Sequence, residues 1–271
     1  MSVAVDIDRV SRLIVEAADE EIMPRYDKLT AGDVREKGPG DLVTVADEAM
    51  EHRLTVQLQD LLPGSVVVGE EAAARDDTVL NRLASDDPVW IIDPVDGTAN
   101  FAKAKGDFGV MVGLVAGGQG VAGWIYDPVG RRMATAEIGA GAWLNDTRLS
   151  VAPAPGDPAE LSGVLLAGFY GDQELGRRVQ QHRERVCALK SRRCAASEYL
   201  RIASGEMHFA LFTKLMPWDH APGVLIHGEA GGYNAYADGG SYRPDRITAP
   251  ALLLAPDRPS WQSLYDRLME P

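Results

Sequence analysis

Acidic side chains recur where this chain passes out of an apolar run. SVVVGEE (65–71) ends on Glu70 and Glu71, PVWII (88–92) runs into Asp93 and Asp96 of IIDPVDGTANF, and Pro217-Trp218 leads to Asp219. Hard divalent ions such as Mg²⁺ take oxygen ligands, commonly one or two carboxylates each. Acids converging from separate segments would hold two such ions a few ångströms apart and clamp an in-line displacement. Each acid alone has a plainer account. Asp96-Gly97 is an ordinary turn pair, Asp219 complements a helix dipole, and Glu70 is a solvated strand end. Only convergence would make them a centre.

The residues after Asp96 add a second element. If the chain turns there into a helix, the amides of Gly97, Thr98 and Ala99 would face an anion. The Thr98 hydroxyl would position a water, especially with Asp47 accepting its proton. Asp47 otherwise has a simple place in the first turn of a helix capped by Thr44. A competing chemistry, that of haloacid dehalogenase-type phosphatases, uses an Asp-x-Asp-Gly-Thr box in which the first acid attacks phosphorus. Two residues, Pro94 and Val95, separate the acids here, and the box does not follow a first strand. The spacing favours metal ligands over a nucleophile.

Several elements must position these groups. Apolar spacing predicts a helix over 8–26, and a second one from Thr44 to about Leu62, stopped by Pro63-Gly64. KGPGD (37–41) reads as a loop and SVVVGEE as a strand. From Phe108 the period becomes that of antiparallel hairpins with glycine-containing turns. APAPGDP (152–158) is the candidate linker, giving an α+β unit over 1–151 and an α/β unit over 152–271. The second unit reads as strand GVLLAGF, helices 173–190 and 195–204, strand MHFALF, helix 217–229, strand 251–255 and a terminal helix to about Met269. A layered fold follows, with an antiparallel sheet in the first half and a mixed sheet in the second.

Bulk properties narrow the function. A net charge of −13 argues against a nucleic-acid surface. No apolar run approaches the roughly 18–20 residues of a membrane span, and no secretory signal is visible at the N-terminus. The two cysteines, Cys187 and Cys194, lie in a helix-like region and make no disulfide framework, so a cytoplasmic setting is expected.

With GEE at 69–71, DPVDGTANF at 93–101 and PWDHAPGVLIHGEAGG at 217–232, the chain resembles the inositol monophosphatase family. These are Mg²⁺-dependent, lithium-sensitive sugar phosphatases related to fructose-1,6-bisphosphatase. KGPGDLVTVADE (37–48) is similar to the family's N-terminal catalytic loop. The resemblance implies alternating layers of helices and sheets, two or three Mg²⁺ ions and a homodimer. It implies Glu70, Asp93 and the Val95 carbonyl around the first ion, Asp93, Asp96 and Asp219 around the second, and a weak third near Glu70. Thr98 with Asp47 would orient or deprotonate the attacking water, and Gly97 and Thr98 would bind phosphate. Cations also resolve the charge problem: a carboxylate cluster repels a phosphate monoester unless metal inverts the local charge.

Substrate choice departs from the family. Animal inositol monophosphatases carry a glutamate seven residues before the Trp-Asp aspartate, where this chain has Phe212. The family's Gly-Ser/Thr-Ala segment is Arg193-Cys194-Ala195 here. Cys194, Ala195 and Phe212, with Asp96, are thus the candidate substrate-contact positions, although Cys194 reads more simply as a small packed residue. Arg192, Arg193 and Lys214 would meet a second anionic group, or are solvated bases. His220 is expected beside the site without a catalytic role, and Trp218 as a packing anchor. A small phosphate monoester is the expected partner. Inositol monophosphate, fructose 1,6-bisphosphate, histidinol phosphate and 3′-phosphoadenosine 5′-phosphate remain open, as does a protein-binding regulatory role.

Overall fold

The computed structural model describes residues 3–38, 41–167 and 172–270. Helix α1 (Ile7–Ala17) is capped by Asp6 and buries Val10, Leu13, Ile14 and Ala17. It does not run on as regular helix to 26 but passes through one π turn, Ala18–Ile22. Of the loop foreseen at KGPGD, Lys37 and Gly38 instead end a short strand, β1 (Val34–Gly38), Asp41 begins another, β2 (Asp41–Thr44), and 39 and 40 fall outside the described residues. Helix α2 (Val45–Leu61) starts as its sequence predicts, with Thr44 and Asp47 forming a reciprocal capping box.

Strand β3 (Val66–Gly69) is shorter than expected. The carboxylate of Glu51, on α2, accepts the amides of Glu71 and Ala72 at 2.7 and 2.8 Å, and this opens a helix, α3 (Glu70–Arg75). Glu70 and Glu71 therefore belong to a first helical turn rather than to a strand end. Strand β4 (Val89–Asp96) carries the two aspartates and leads into a single helical turn, α4 (Thr98–Phe101). The hairpins follow as β5 (Gly109–Ala116), β6 (Gln119–Asp127), β7 (Arg132–Glu137), β8 (Gly141–Leu144) and β9 (Thr147–Arg148). Among the described residues they form a seven-stranded sheet, β3-β4-β5-β6-β7-β8-β9, antiparallel except for the β3–β4 pair.

The second half supplies β10 (Ser162–Leu166), α5 (Gln173–Gln181), β11 (Cys187–Ala188), α6 (Ala195–Ala203) and β12 (Phe209–Phe212). Helix α7 (Pro217–Glu229), β13 (Tyr233–Tyr236), β14 (Leu252–Ala255) and α8 (Arg258–Leu268) complete it. The expected helix over 173–190 stops at Gln181, and Cys187 sits on an exposed edge strand. Cys194 is likewise outside a helix interior, as the cap of α6. The C-terminal part of the strand foreseen at GVLLAGF reaches residues 168 and 169, outside the described residues. The sheet order is β11-β10-β12-β14-β13, parallel around β10 and antiparallel around β14, which is the mixed sheet expected.

Strand alternation sorts these elements into layers. Trp90, Ile92, Val110 and Val112 pack on α1 and α2, while Met111 and Ile125 point the opposite way, into a cluster with α6, α7 and β12. On β12, Ala210 and Phe212 face that cluster, whereas Phe209 and Leu211 face Val179 of α5 and Trp261 and Leu264 of α8. The order is helix, sheet, helix, sheet, helix. Helix α7 lies so close to the larger sheet that a Cβ on Gly123 would come within 3.0 Å of the Pro222 backbone. The middle cluster thus draws on residues from both sides of position 151. No helix among the described residues is long and apolar enough to cross a membrane.

Candidate active site

Residues three apart on a regular strand face opposite ways. Asp93 and Asp96 avoid this because β4 carries one extra residue between them: Asp93 pairs with Met111 and Asp96 with Gly109. Such a bulge re-aims the side chain beyond it, and Pro94, which has no amide to lend the ladder, is suited to it. The two-residue gap in DPVD is therefore what brings both carboxylates to one side. Asp219 arrives from the first turn of α7, where an acid also complements the helix dipole. Oxygens of Asp93, Asp96 and Asp219 all lie within 4.8 Å of one another.

Three carboxylates this close and this enclosed resist ionisation. Burial, then Glu70 and Asp96, pushes Asp93 well above the usual carboxylate range. Burial, then Asp219, holds Asp96 up to about 7, and burial also raises Asp219 against the opposing pull of Lys214. An all-oxygen donor set whose members repel one another fits a hard divalent cation. Asp93, Asp96 and Asp219 would hold it.

Thr98 closes the turn after β4. Gly97 makes that turn with φ of 84°, and a Cβ there would lie 2.9 Å from the Asp107 carbonyl. The Thr98 hydroxyl lies 3.1 Å from Asp47 Oδ1 and 3.0 Å from the Val95 carbonyl oxygen. Asp47 is fully buried, and its other oxygen accepts from the Thr44 amide and hydroxyl at 2.9 and 2.5 Å. Burial raises its pKa to about 6, with the Thr44 hydrogen bonds opposing.

Glu70 lies outside the triad but is the foremost neighbouring charge on Asp93. Its carboxylate and that of Glu71 share the Lys37 ammonium, at 2.8 and 2.9 Å. Burial works against that ammonium, but Glu70 and Glu71 outweigh it and raise its pKa. Glu71 itself is pushed up to about 7 by burial. Lys37, which pairs with Glu70 and Glu71, and Glu51, which holds the turn that carries them, are neighbours of the candidate site that sequence reasoning missed. Lys37 lies inside the KGPGD box, so its signal was present; nothing near Glu51 marks it in the sequence.

The candidate substrate positions divide. Cys194 Sγ donates to Asp96 Oδ2 at 2.9 Å and so touches the triad directly. Ala195 opens α6 with its side chain in the middle cluster. Phe212 faces that cluster too, stacked on Tyr199 at 5.5 Å and edge-on to His220 at 4.8 Å, and is only 4% exposed. It offers little surface to a ligand. His220 Nε2 donates to the Lys214 carbonyl at 2.8 Å, so Nδ1 accepts from the Tyr199 hydroxyl at 2.9 Å. Burial lowers its pKa to about 4, leaving a neutral ring that braces the loop before α7. Trp218 packs with Val68 and Ile91. Arg192 is paired with Asp107 at 3.1 Å, whereas Arg193 is exposed. Burial disfavours the Lys214 ammonium, but Asp219 and Glu70 more than compensate.

Residues 6–269 match the sequence profile of the inositol monophosphatase family. The chain is a member of the inositol monophosphatase family. By that membership it is a phosphoric monoester hydrolase. It is 30% identical over 233 residues to inositol-1-monophosphatase of Bacillus subtilis, covering 84% of each chain. It is 27% identical over 226 residues to the Nus factor SuhB of Xylella fastidiosa, covering 80% of this chain and 77% of that one. The crystal structure of the extragenic suppressor protein suhB from Bartonella henselae shares its fold with a TM-score of 0.80 at 25% identity, over 97% of this chain and 99% of that one. The alternating layers are thus those of an inositol monophosphatase, as the sequence motifs implied.

Proposed function

We propose that the protein is a Mg²⁺-dependent phosphomonoesterase acting on a small phosphorylated polyol, sugar or related metabolite. The observation that carries this reading is the Asp93–Asp96–Asp219 triad beside the Asp47–Thr98 pair. Mg²⁺ ions, when bound, supply positive charge for phosphoryl oxygens and acidify the attacking water. The remaining work falls to the chain. Thr98 has one hydroxyl proton, so while it donates to Asp47 its lone pairs can accept from a water. Asp47, with a pKa of about 6, then takes a proton near neutral pH. The amides of Gly97 and Thr98 receive phosphate oxygens, and Glu70 and the Val95 carbonyl extend the cation site. Water attacks directly, with no phosphoenzyme. The 1–151 part provides most cation ligands and the 152–271 part provides Asp219 and the substrate-facing segments, in a cytoplasmic homodimer.

Phe212 in place of a carboxylate supports a substrate other than inositol monophosphate. A bisphosphate is one class to test, because Arg193 and Lys214 flank the same region. The test is phosphate release from a panel containing inositol monophosphate, fructose 1,6-bisphosphate, histidinol phosphate and 3′-phosphoadenosine 5′-phosphate, with Mg²⁺ and with Li⁺ added. Mg²⁺-dependent, Li⁺-inhibited release that disappears in Asp96→Asn is expected. A fully active Asp96→Asn protein would sink the metal assignment. The relative named as a Nus factor supports a second reading, a protein-binding role; folded protein inert on the whole panel would favour it.

A further inference from the structure

Asp96 is gripped from one side. Cys194 Sγ and the Ala196 amide both donate to its Oδ2, at 2.9 and 2.6 Å, so Oδ1 is the oxygen left for other partners. The thiol's direction is itself set. The Ser197 amide, in the first turn of α6, donates to Sγ at 3.4 Å, and the S–H faces Asp96, whose Oδ2 at 2.9 Å is much nearer than its carbonyl oxygen at 3.8 Å. The Gly97 backbone packs close beside it: a Cβ there would stand 3.2 Å from Cys194 Cβ and 3.4 Å from Sγ, so a side chain at 97 would crowd the thiol. Cys194 is 2% exposed.

The turn that presents Cys194 is held more firmly than a surface loop requires. Glu198, fully buried on α6, accepts from the Ser191 hydroxyl at 2.9 Å, the Arg192 amide at 2.6 Å and Arg201 at 2.6 Å. Arg193, with φ of 58°, occupies the left-handed region disfavoured for a side-chain-bearing residue, and its amide is received by Ser191 Oγ at 2.9 Å. Asn100, just beyond the metal box, donates to the carbonyls of both Asp107 and Arg192, at 2.8 and 3.0 Å. The 191–196 turn is therefore tied to the same segment that carries Asp96.

We propose that Cys194 is a positioning residue for the cation site: its thiol, with the Ala196 amide, immobilises Asp96 Oδ2 so that Oδ1 is turned toward the space shared with Asp93 and Asp219. This rests on the phosphomonoesterase reading above. Partners that orient a ligand typically matter about 10- to 100-fold in metal affinity. A thiol is a weaker donor than a hydroxyl, so serine should serve at least as well and alanine should not.

The test is calorimetric titration of Mg²⁺ into the wild-type, Cys194→Ala and Cys194→Ser proteins, with Tm measured on each, and phosphate release as a function of Mg²⁺. Cys194→Ala should bind Mg²⁺ about tenfold more weakly. Its half-saturating Mg²⁺ for turnover should rise by a similar factor, and kcat at saturating Mg²⁺ should change less. Cys194→Ser should bind as the wild type does or more tightly. Unchanged affinity in Cys194→Ala overturns the proposal, and so does a Cys194→Ser protein as weak as Cys194→Ala, since packing alone would then be responsible. A wild-type protein that binds no Mg²⁺ overturns instead the functional reading on which the proposal rests.

Discussion

At the scale of single residues, the work proposed for Asp47 and Thr98 is proton handling, which a metal ligand cannot do. Asp47 is shielded from water, anchored through one oxygen by Thr44 and left with the other facing Thr98. A proton acceptor must be ionised to act, so with its pKa raised to about 6 by burial the rate should fall as pH drops below that value. A bound cation would move the limb to lower pH, never higher. A kcat/KM profile at saturating Mg²⁺ checks the direction; an acid limb lying well above about pH 6 would remove Asp47 from the role. Thr98→Ala should lower kcat by about 100-fold or more, with Mg²⁺ affinity nearly unchanged. The same scale explains what sequence reading missed. A lysine in a loop says nothing of whether it meets Glu70 and Glu71, because 33 and 34 residues of chain separate them.

Elements carry the next level of control, and two of them do double duty. The capping box that starts α2 also fixes Asp47, so Thr44→Val should cost more than an ordinary cap. Losing the cap alone costs about 1 kcal/mol. Here turnover should fall as well, since Thr44 Oγ1 no longer holds Asp47 Oδ2. Thermal unfolding and kcat measured on one preparation separate the two effects; a lower Tm with unchanged kcat would reduce Thr44 to a cap. The bulge in β4 is the second case. Its capping-box counterpart was legible in Thr44 and Asp47, but the bulge was not, because it exists only relative to the register of β5. The same limit explains the misread stretches. The chain over 173–190 has helical composition throughout, yet Cys187 and Ala188 pair with β10, a partner visible only after folding.

On the scale of the whole molecule, the site is assembled from both halves, and its carboxylates burden the metal-free fold. Asp96 and Glu71, raised to about 7, keep protons that the unfolded chain releases above about pH 4, so their contribution to stability declines as pH rises from about 4 to 7. His220 and His227, lowered by burial to about 4 and 3, act in the opposite sense: the unfolded chain takes up protons below about pH 6.5 that the folded one refuses. Cations compete with protons for the carboxylates. The gain in Tm on adding Mg²⁺ should therefore be larger at about pH 8 than at about pH 5.5, and an equal gain would argue against binding at these acids. Asp219→Asn should raise the Tm of metal-free protein at about pH 8 by a few degrees, roughly 2–4 °C per kcal/mol of relieved repulsion, while abolishing the Mg²⁺ effect.

The sequence alone determined the reaction class and the layered architecture. GEE, DPVDGT and PWD name acids whose chemistry is local, and strand alternation and helical spacing are written along the chain. Only the tertiary structure decided which acids meet. Asp93 and Asp96 converge through a bulge set by β5, Asp219 joins them because α7 docks on the larger sheet, and Phe212 turns into the middle cluster with Tyr199 and His220. Residue type and spacing fix what a group can do; its distance to partners far along the chain depends on register and packing, which no single segment encodes.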